Sequence, residues 1–354
     1  MKITGIDFER LKVKLEKPFV VAIGVMEYAE TIIVKVTTDE GITGYGEASP
    51  FSPVTGETLE SVPVFLKLFR DVLIGHNPFE IEKIHKIMGS VTVGNTSAKA
   101  GIDIALYDIM AKKLEMPLYK FLGGFRSEFP VDMTVGIGAP EVMAEDALAY
   151  VKEGFGILKI KAGIDSSADL ESMRLIRKAI GPDIRVRVDA NQGWTVNEAI
   201  RVINAYEEYG VEAVEQPVKY WNTEGLKYIR NHTNISIMAD ESLHSPEDAI
   251  KLTMTQAVDV FNIKLMKSGG IYPAMRINAI GEANGTPCML GCMLETRVGN
   301  AASAALVAAQ KNITEADLDS FRHFHDPTIT GGFTVENGIM AMLDKPGLGV
   351  EVNV

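Results

Sequence analysis

Along residues 2–14 and again along 31–38, hydrophobic and polar positions alternate, with β-branched side chains prominent. A period of two is the signature of half-buried strands. Asp39-Glu40-Gly41 is a turn signal ahead of a third alternating run at 42–47, so residues 1–48 read as a small antiparallel sheet. The stretch 19–26 (Phe-Val-Val-Ala-Ile-Gly-Val-Met) is apolar throughout and breaks the alternation, which predicts a loop. The Pro, Ser and Gly of 48–56 predict a second one. From Thr58 to Leu122 the period becomes helical. The longest helix is expected over 95–113, with Asn95 or Thr96 as its N-cap, and Gly123-Gly124 closes the region.

Beyond residue 130 the texture changes to short apolar runs separated by amphipathic ones. Strands are expected at 131–135, 158–162, 185–189, 213–215, 235–239, 260–265, 287–290 and 316–318. Helices are expected between them at 140–153, 168–180, 196–209, 225–231, 246–255, 272–284 and 298–310. Eight strands alternating with seven helices over short loops predict a parallel barrel rather than an open sheet. The fold class is therefore α/β: a modified TIM barrel, (β/α)7β, with an α+β capping domain. The expected division is a cap at 1–125, a barrel at 126–322, and a Gly- and Pro-rich segment, 323–354, that returns to complete the cap.

Composition narrows the partners. The 354 residues are 46% hydrophobic and 23% charged, an ordinary globular balance with ample core. A formal net charge of −12 without any Lys/Arg-rich run argues against nucleic acid. The charged, alternating first 19 residues lack the apolar core of a signal peptide, and no long apolar stretch follows, which argues against a membrane partner. Cys288 and Cys292 lie in an apolar segment and are expected to be buried free thiols in a reducing cytoplasm.

The candidate chemistry sits at the ends of the barrel strands. In Leu158-Lys159-Ile160-Lys161 both lysines point to one face of a strand too apolar for a surface ribbon. Like charge and partial desolvation are expected to depress their pKa values and yield a usable amine base. The next three strands end in Asp189, Glu215 and Asp240, and the sixth carries Lys264 and, just beyond, Lys267. Acids on three successive strands converge at a barrel mouth, and three oxygen donors without His or Cys suit a hard cation, most simply Mg²⁺. Asn191, Gln216 and Glu241 are candidates to support them, or turn formers.

The ordered set K-I-K, D-A-N-Q-G-W, E-Q-P, A-D-E-S and N-I-K-L-M-K-S-G-G resembles the enolase superfamily, and within it the muconate-lactonizing-enzyme subgroup. The resemblance covers essentially the whole chain. It implies that Asp189, Glu215 and Asp240 bind Mg²⁺, that Lys161 and Lys264 form an acid/base pair on opposite faces of the substrate, and that Lys159 tunes Lys161. Superfamily members pair such a base with Mg²⁺ to stabilise an enediolate. Two bases facing one carbon permit inversion, a 1,1-proton transfer. Lys267 is the odd member and reads as structural. Self-association is common in the family, so a homo-oligomer is expected.

Strand eight, Thr314-Glu315-Ala316-Asp317-Leu318-Asp319, places Asp317 and Asp319 on one face. This D-x-D resembles the dipeptide epimerases, where the pair holds the free ammonium of the substrate. The expected function is therefore inversion of the C-terminal residue of a dipeptide. L-Ala-D/L-Glu epimerase proper, N-acylamino acid racemase, o-succinylbenzoate synthase and muconate cycloisomerase are alternatives within the subgroup, and an inactive barrel used for binding is one outside it. Histidines are absent from strands six and seven, against a mandelate-racemase-like base; His323 and His325 read as packing or loop residues. Relatives acting on L-Ala-D/L-Glu carry an arginine where alignment places Gly24. The remaining lining of the two capping loops, Phe19, Ile23, Met26, Phe51 and Val54, is apolar, so a hydrophobic or aromatic residue is expected to be preferred over Glu. Thr134 in the first barrel strand and Met293 after the seventh complete the candidate substrate contacts.

Overall fold

In the computed structural model, which describes residues 1–353, the chain opens with one long hairpin of β1 (Ile3–Val21) and β2 (Gly24–Thr38). β3 (Thr43–Ala48) completes the three-stranded sheet. The apolar stretch 19–26 is thus not a loop. Phe19 pairs with Met26, Val20 with Val25 and Val21 with Gly24, so only Ala22 and Ile23 turn the chain. A register irregularity interrupts the pairing between Lys14 and Phe19, and this interruption is what the broken alternation reports. The second expected loop contains one helical turn, α1 (Ser52–Thr55), ended by Gly56 at φ 71°.

Helices α2 (Val62–Leu73), α3 (Ile81–Val91), α4 (Thr96–Lys113) and α5 (Leu118–Phe121) follow. Helix α4 has no polar face: from Ser97 to Ala111 every residue except Lys99 is buried, between the cap sheet and the barrel. It lies backbone to backbone on β3, since a Cβ at Gly46 would stand 1.9 Å from the Gly101 carbonyl oxygen. Asn95 does not cap it. That side chain donates to Thr92 and Val93, and the first-turn amides of Ser97 and Ala98, which have no partner within the helix, are met instead by Glu57 at 2.8 and 3.0 Å.

After β4 (Glu128–Pro130), which stays outside the barrel, the strands and helices alternate: β5 (Met133–Val135), α6 (Pro140–Lys152), β6 (Ile157–Lys161), α7 (Ser166–Ile180), β7 (Arg185–Asp189), α8 (Val196–Tyr206), β8 (Val211–Glu215), α9 (Thr223–Arg230), β9 (Ser236–Ala239), α10 (Pro246–Thr255), β10 (Val260–Ile263), α11 (Leu265–Ser268), α12 (Ile271–Asn284), β11 (Cys288–Gly291), α13 (Arg297–Ala309) and β12 (Ile313–Asp317). The eight strands β5–β12 pair in parallel in chain order, and Asp132 N–H donating to the Ala316 carbonyl at 3.3 Å joins the first to the last. The sixth barrel strand stops at Ile263, earlier than expected, because Lys264 opens the single turn α11. The eighth stops at Asp317, so Asp319 lies past the strand, at the head of a short 3₁₀ turn. In the tail, β13 (Ile329–Gly331) pairs with β16 (Val350–Val352), and β14 (Phe333–Glu336) with β15 (Ile339–Met342), which also pairs with β4. Gly347 and Leu348 then bond to Leu118 of α5 and Asp108 of α4. Among the described residues no helix is long and apolar enough to cross a membrane.

Carboxylates from the cap hold the barrel helices. Asp103 of α4 accepts the Ile271 and Tyr272 amides at the start of α12. Glu47 of β3 accepts the amides of Thr296 and Gly299, both at 2.8 Å, at the start of α13, as well as the Thr31 and Thr296 hydroxyls. Beside Glu47, Glu295 is 1% exposed and neither carboxylate oxygen has a partner. Burial, and then the nearness of Glu47, push Glu295 up to about 8. An unfolded glutamate titrates near 4.3. The folded state therefore holds the proton more tightly, and stability falls as pH rises between those values. We expect Glu295→Gln, which is neutral throughout, to flatten this decline and to exceed the wild type in urea midpoint at pH 8. An unchanged slope between pH 5 and 8 would refute the assignment.

Candidate active site

Every residue of β6 is buried, so its lysines end inside the barrel mouth. Lys159 Nζ lies 2.7 Å from Asp317, 2.8 Å from Glu215 and 3.1 Å from Asp189. Lys161 Nζ donates to Asp189 at 2.7 Å and to the Asn191 side-chain oxygen at 3.2 Å. Lys264 Nζ, four strands round a ring of eight and so opposite, donates to Asp240 at 2.9 Å. Lys267 is wholly buried, and its ammonium binds Asp240 through both the carboxylate and the main-chain carbonyl, with the Asn262 carbonyl at 3.0 Å.

Backbone strain accompanies this convergence. Asn191, Gln192 and Gln216 adopt φ of 40°, 67° and 37°, left-handed values rare outside glycine, just past the ends of β7 and β8. The turns are held by their own side chains: Gln216 accepts the Asp240 and Ser242 amides, each at 3.0 Å, and Asn191 donates to Glu241 at 3.2 Å.

Lys159 does not behave as one of two like charges in a dry strand. Burial alone would lower Lys159, but Asp189, Asp317 and Glu215 outweigh it and raise it well above the usual lysine range. The expectation of a depressed Lys159 is overturned because three carboxylates stand within 3.1 Å of its ammonium. Lys264 is likewise raised against the pull of burial, chiefly by Asp240. Among the acids, Lys159 and Lys161 overcome burial and bring Asp189 to about 2, whereas burial and then Asp189 push Glu215 up to about 7. Glu241, buried beside Asp240, rises to about 8.

Asp189, Glu215 and Asp240 each offer an oxygen, all within 4.8 Å of one another, and among the described residues no other such group of three occurs. The donors are all hard oxygens. The cluster counts Asp189, Glu215, Asp240, Glu241, Asp317 and Asp319 against Lys159, Lys161, Lys264 and Lys267, a formal surplus of two negative charges. Crowding that drives two of the acids toward the neutral form is the environment a divalent cation relieves, so these residues fit Mg²⁺.

Two adjoining cavities open beside the cluster. The larger, about 160 Å³, lies between Lys161 and Lys264 and is walled by Phe19, Ile23, Met26, Phe51, Val54 and Met293. The smaller, about 40 Å³, shares Phe19, both lysines and Met293 and runs to Thr134, Lys159, Asp317 and Asp319. Thr134 contributes its amide, which donates to Asp319 at 2.6 Å. Gly24 lines neither cavity; a Cβ there would only touch Phe51 at 3.9 Å and Met26 at 4.0 Å. Four of the lining residues that were not anticipated bear on the chemistry. Tyr28 and Glu30 continue the alternation Met26-Tyr28-Glu30 on the cavity face of β2, a signal present in the sequence. Cys292 is half-buried and borders both cavities rather than lying in the core. His323, read as packing, faces Asp319.

Comparison with known proteins agrees with this geometry. The family model for the N-terminal domain of mandelate racemase / muconate lactonizing enzyme matches residues 5–123, and the enolase C-terminal domain-like model matches 142–354. The hydrophobic dipeptide epimerase of Enterococcus faecalis is 46% identical over 99% of both chains, and an L-Ala-D/L-Glu epimerase of Clostridium acetobutylicum is 43% identical over 99% of both. The crystal structure of the Enterococcus faecalis V583 dipeptide epimerase, complexed with Mg and L-Leu-L-Tyr, superposes with a TM-score of 0.97 at 46% identity, covering 99% of this chain and 100% of that one. The substrate-liganded L-Ala-D/L-Glu epimerase of Bacillus subtilis gives 0.98 at 40% identity, with 100% of both chains covered.

Lys267 yields a stability prediction. Its removal leaves Asp240 short of one buried counter-charge, so Lys267→Met should lower the unfolding free energy by about 3–5 kcal/mol. Urea denaturation of the metal-free protein measures this, and an unshifted midpoint would exclude a structural role.

Proposed function

Because this chain belongs to the enolase superfamily, in its mandelate racemase / muconate lactonizing enzyme family, and is an isomerase acting on amino acid derivatives, we propose that it is a Mg²⁺-dependent dipeptide epimerase inverting the α-carbon of the C-terminal residue. The observation that carries the reading is that Lys161 and Lys264, from opposite barrel strands, border one cavity that continues to Asp317 and Asp319. The reading also takes the chain as a cap to about residue 125 and a barrel beyond it, with 323–354 returning to the cap.

In this proposal Asp189, Glu215 and Asp240 would hold Mg²⁺, which would supply positive charge to the substrate carboxylate and so acidify the adjacent α-hydrogen. One lysine of the opposed pair, as the free amine, takes that proton; the other, as the ammonium, returns one from the far face. Lys159 shares Asp189 with Lys161 and thereby fixes where the Lys161 amine points. Asp317 and Asp319, in the smaller cavity, receive the free ammonium of the first residue, which cycloisomerase and succinylbenzoate-synthase substrates do not possess.

The larger cavity takes the side chain of the epimerised residue. Apart from the two lysines no basic group lines it, most of its walls are apolar, and of its two acids Asp240 belongs to the metal-binding trio while Glu30 repels a second carboxylate. Lys12, the nearest cation to Glu30, is paired with it at 2.5 Å. These features support a hydrophobic or aromatic second residue over glutamate.

Lys161→Ala and Lys264→Ala should each depress epimerisation by at least about 10²–10⁴-fold, the range for loss of a general acid or base. Near-normal turnover by either variant, followed by chiral chromatography, would refute the two-base assignment. For specificity, kcat/KM for L-Ala-L-Tyr should exceed that for L-Ala-L-Glu by at least about tenfold, equivalent to roughly 1.4 kcal/mol. Preference for the glutamate peptide would overturn the cavity argument, and equal turnover of N-acetyl-L-Tyr would favour an N-acylamino acid racemase.

A further inference from the structure

His323 stands beside the smaller cavity with an unmet hydrogen-bonding atom. Its Nε2 is shielded from solvent and has no partner among the described residues. The nearest carboxylate oxygen, Asp319 Oδ2, is 3.7 Å away, beyond hydrogen-bond reach, and already accepts the Thr134 amide at 2.6 Å. The ring is not free to search elsewhere. Its backbone N–H donates to Ser320, its carbonyl accepts the Glu16 amide at 2.9 Å, and the Phe19 ring packs on it at 4.8 Å between centroids. A buried ring nitrogen fixed in this way and left unpaired is a group waiting for a ligand.

The chemistry of the cavity says which ligand atom it meets. A primary ammonium carries three N–H donors. Asp317 Oδ2 already accepts from Lys159 at 2.7 Å and Asp319 Oδ2 from Thr134, which leaves one oxygen of each acid without a protein donor. The three N–H groups diverge tetrahedrally, so directing one at each acid leaves the third for another acceptor. Resting on the dipeptide-epimerase reading above, we propose that His323 Nε2, with the ring proton on Nδ1, accepts the third N–H of the substrate ammonium. His323 thereby makes the site selective for an unmethylated N-terminus. It is a positioning residue and touches no reacting atom.

The test compares L-Ala-L-Tyr with N-methyl-L-Ala-L-Tyr, which lacks one N–H, on the wild type, His323→Leu and His323→Gln. The wild type should favour the primary amine by about tenfold, the loss expected for one charge-assisted hydrogen bond. His323→Leu should lose about tenfold on L-Ala-L-Tyr, in KM rather than kcat, and change little on the N-methyl peptide. His323→Gln, whose amide oxygen can accept, should retain the selectivity. Equal proportional losses on both peptides would overturn the proposal. A second readout needs no variant: in ¹⁵N-histidine-labelled wild type with L-Ala-L-Tyr bound, Nε2 of His323 should be unprotonated, and a protonated Nε2 would overturn it. Absence of wild-type turnover with every free dipeptide would instead remove the underlying epimerase reading, and this proposal with it.

Discussion

A buried ammonium persists only beside carboxylates, and a buried carboxylate only beside cations; the barrel mouth is organised by that reciprocity. Asp189 is shared between Lys159 and Lys161, and Asp240 between Lys264 and Lys267. No member can be treated alone. The pull that holds Asp189 near 2 is the same one that keeps Lys159 charged, and the crowding of acids lifts Glu215 toward neutrality. The strained turns after β7 and β8 belong to the same arrangement, since they hold Asn191 and Gln216 where their amides brace the carboxylate strands.

Much of this arrangement was readable in the sequence because strand ends are local. A short apolar run that stops at an acid announces both the strand and the mouth, and Asp189, Glu215 and Asp240 all stand at such places. Charge states were not readable. The acid closest to Lys159 is Asp317, 158 residues away in sequence, so no local pattern could announce it. Helix α4 shows the converse difficulty. Buried nearly all round, it has small and apolar residues but no polar stripe, and its first-turn amides are met by Glu57, about forty residues earlier, rather than by the side chain of its N-cap residue Asn95. His323 was missed because it follows the last barrel strand in irregular chain, where no period distinguishes a cavity wall from a loop.

The seam between cap and barrel is polar where it could have been oily. Glu47 and Asp103 each end on backbone amides at the start of a barrel helix, so they fix orientation as well as contact. Directional bonds of this kind locate the base of the hairpin relative to the lysines more sharply than apolar packing does, because packing tolerates sliding and a carboxylate on two amides does not.

The hairpin tip is anchored at the far side as well: Ile137 donates to the Val20 carbonyl at 3.0 Å, and Lys17 reaches Asp146 at 2.9 Å. Its cavity face is carried by alternate residues of two paired strands, while the bonds that hold it are main-chain or lie on other residues. Side chains at Ile23, Met26 or Tyr28 can therefore be exchanged without loosening the anchor or disturbing any residue of the charged cluster. One chemical engine thus accepts a changeable front end. Single replacements within about ten residues of chain can therefore reshape the cavity wall while the charged cluster beneath keeps its own contacts.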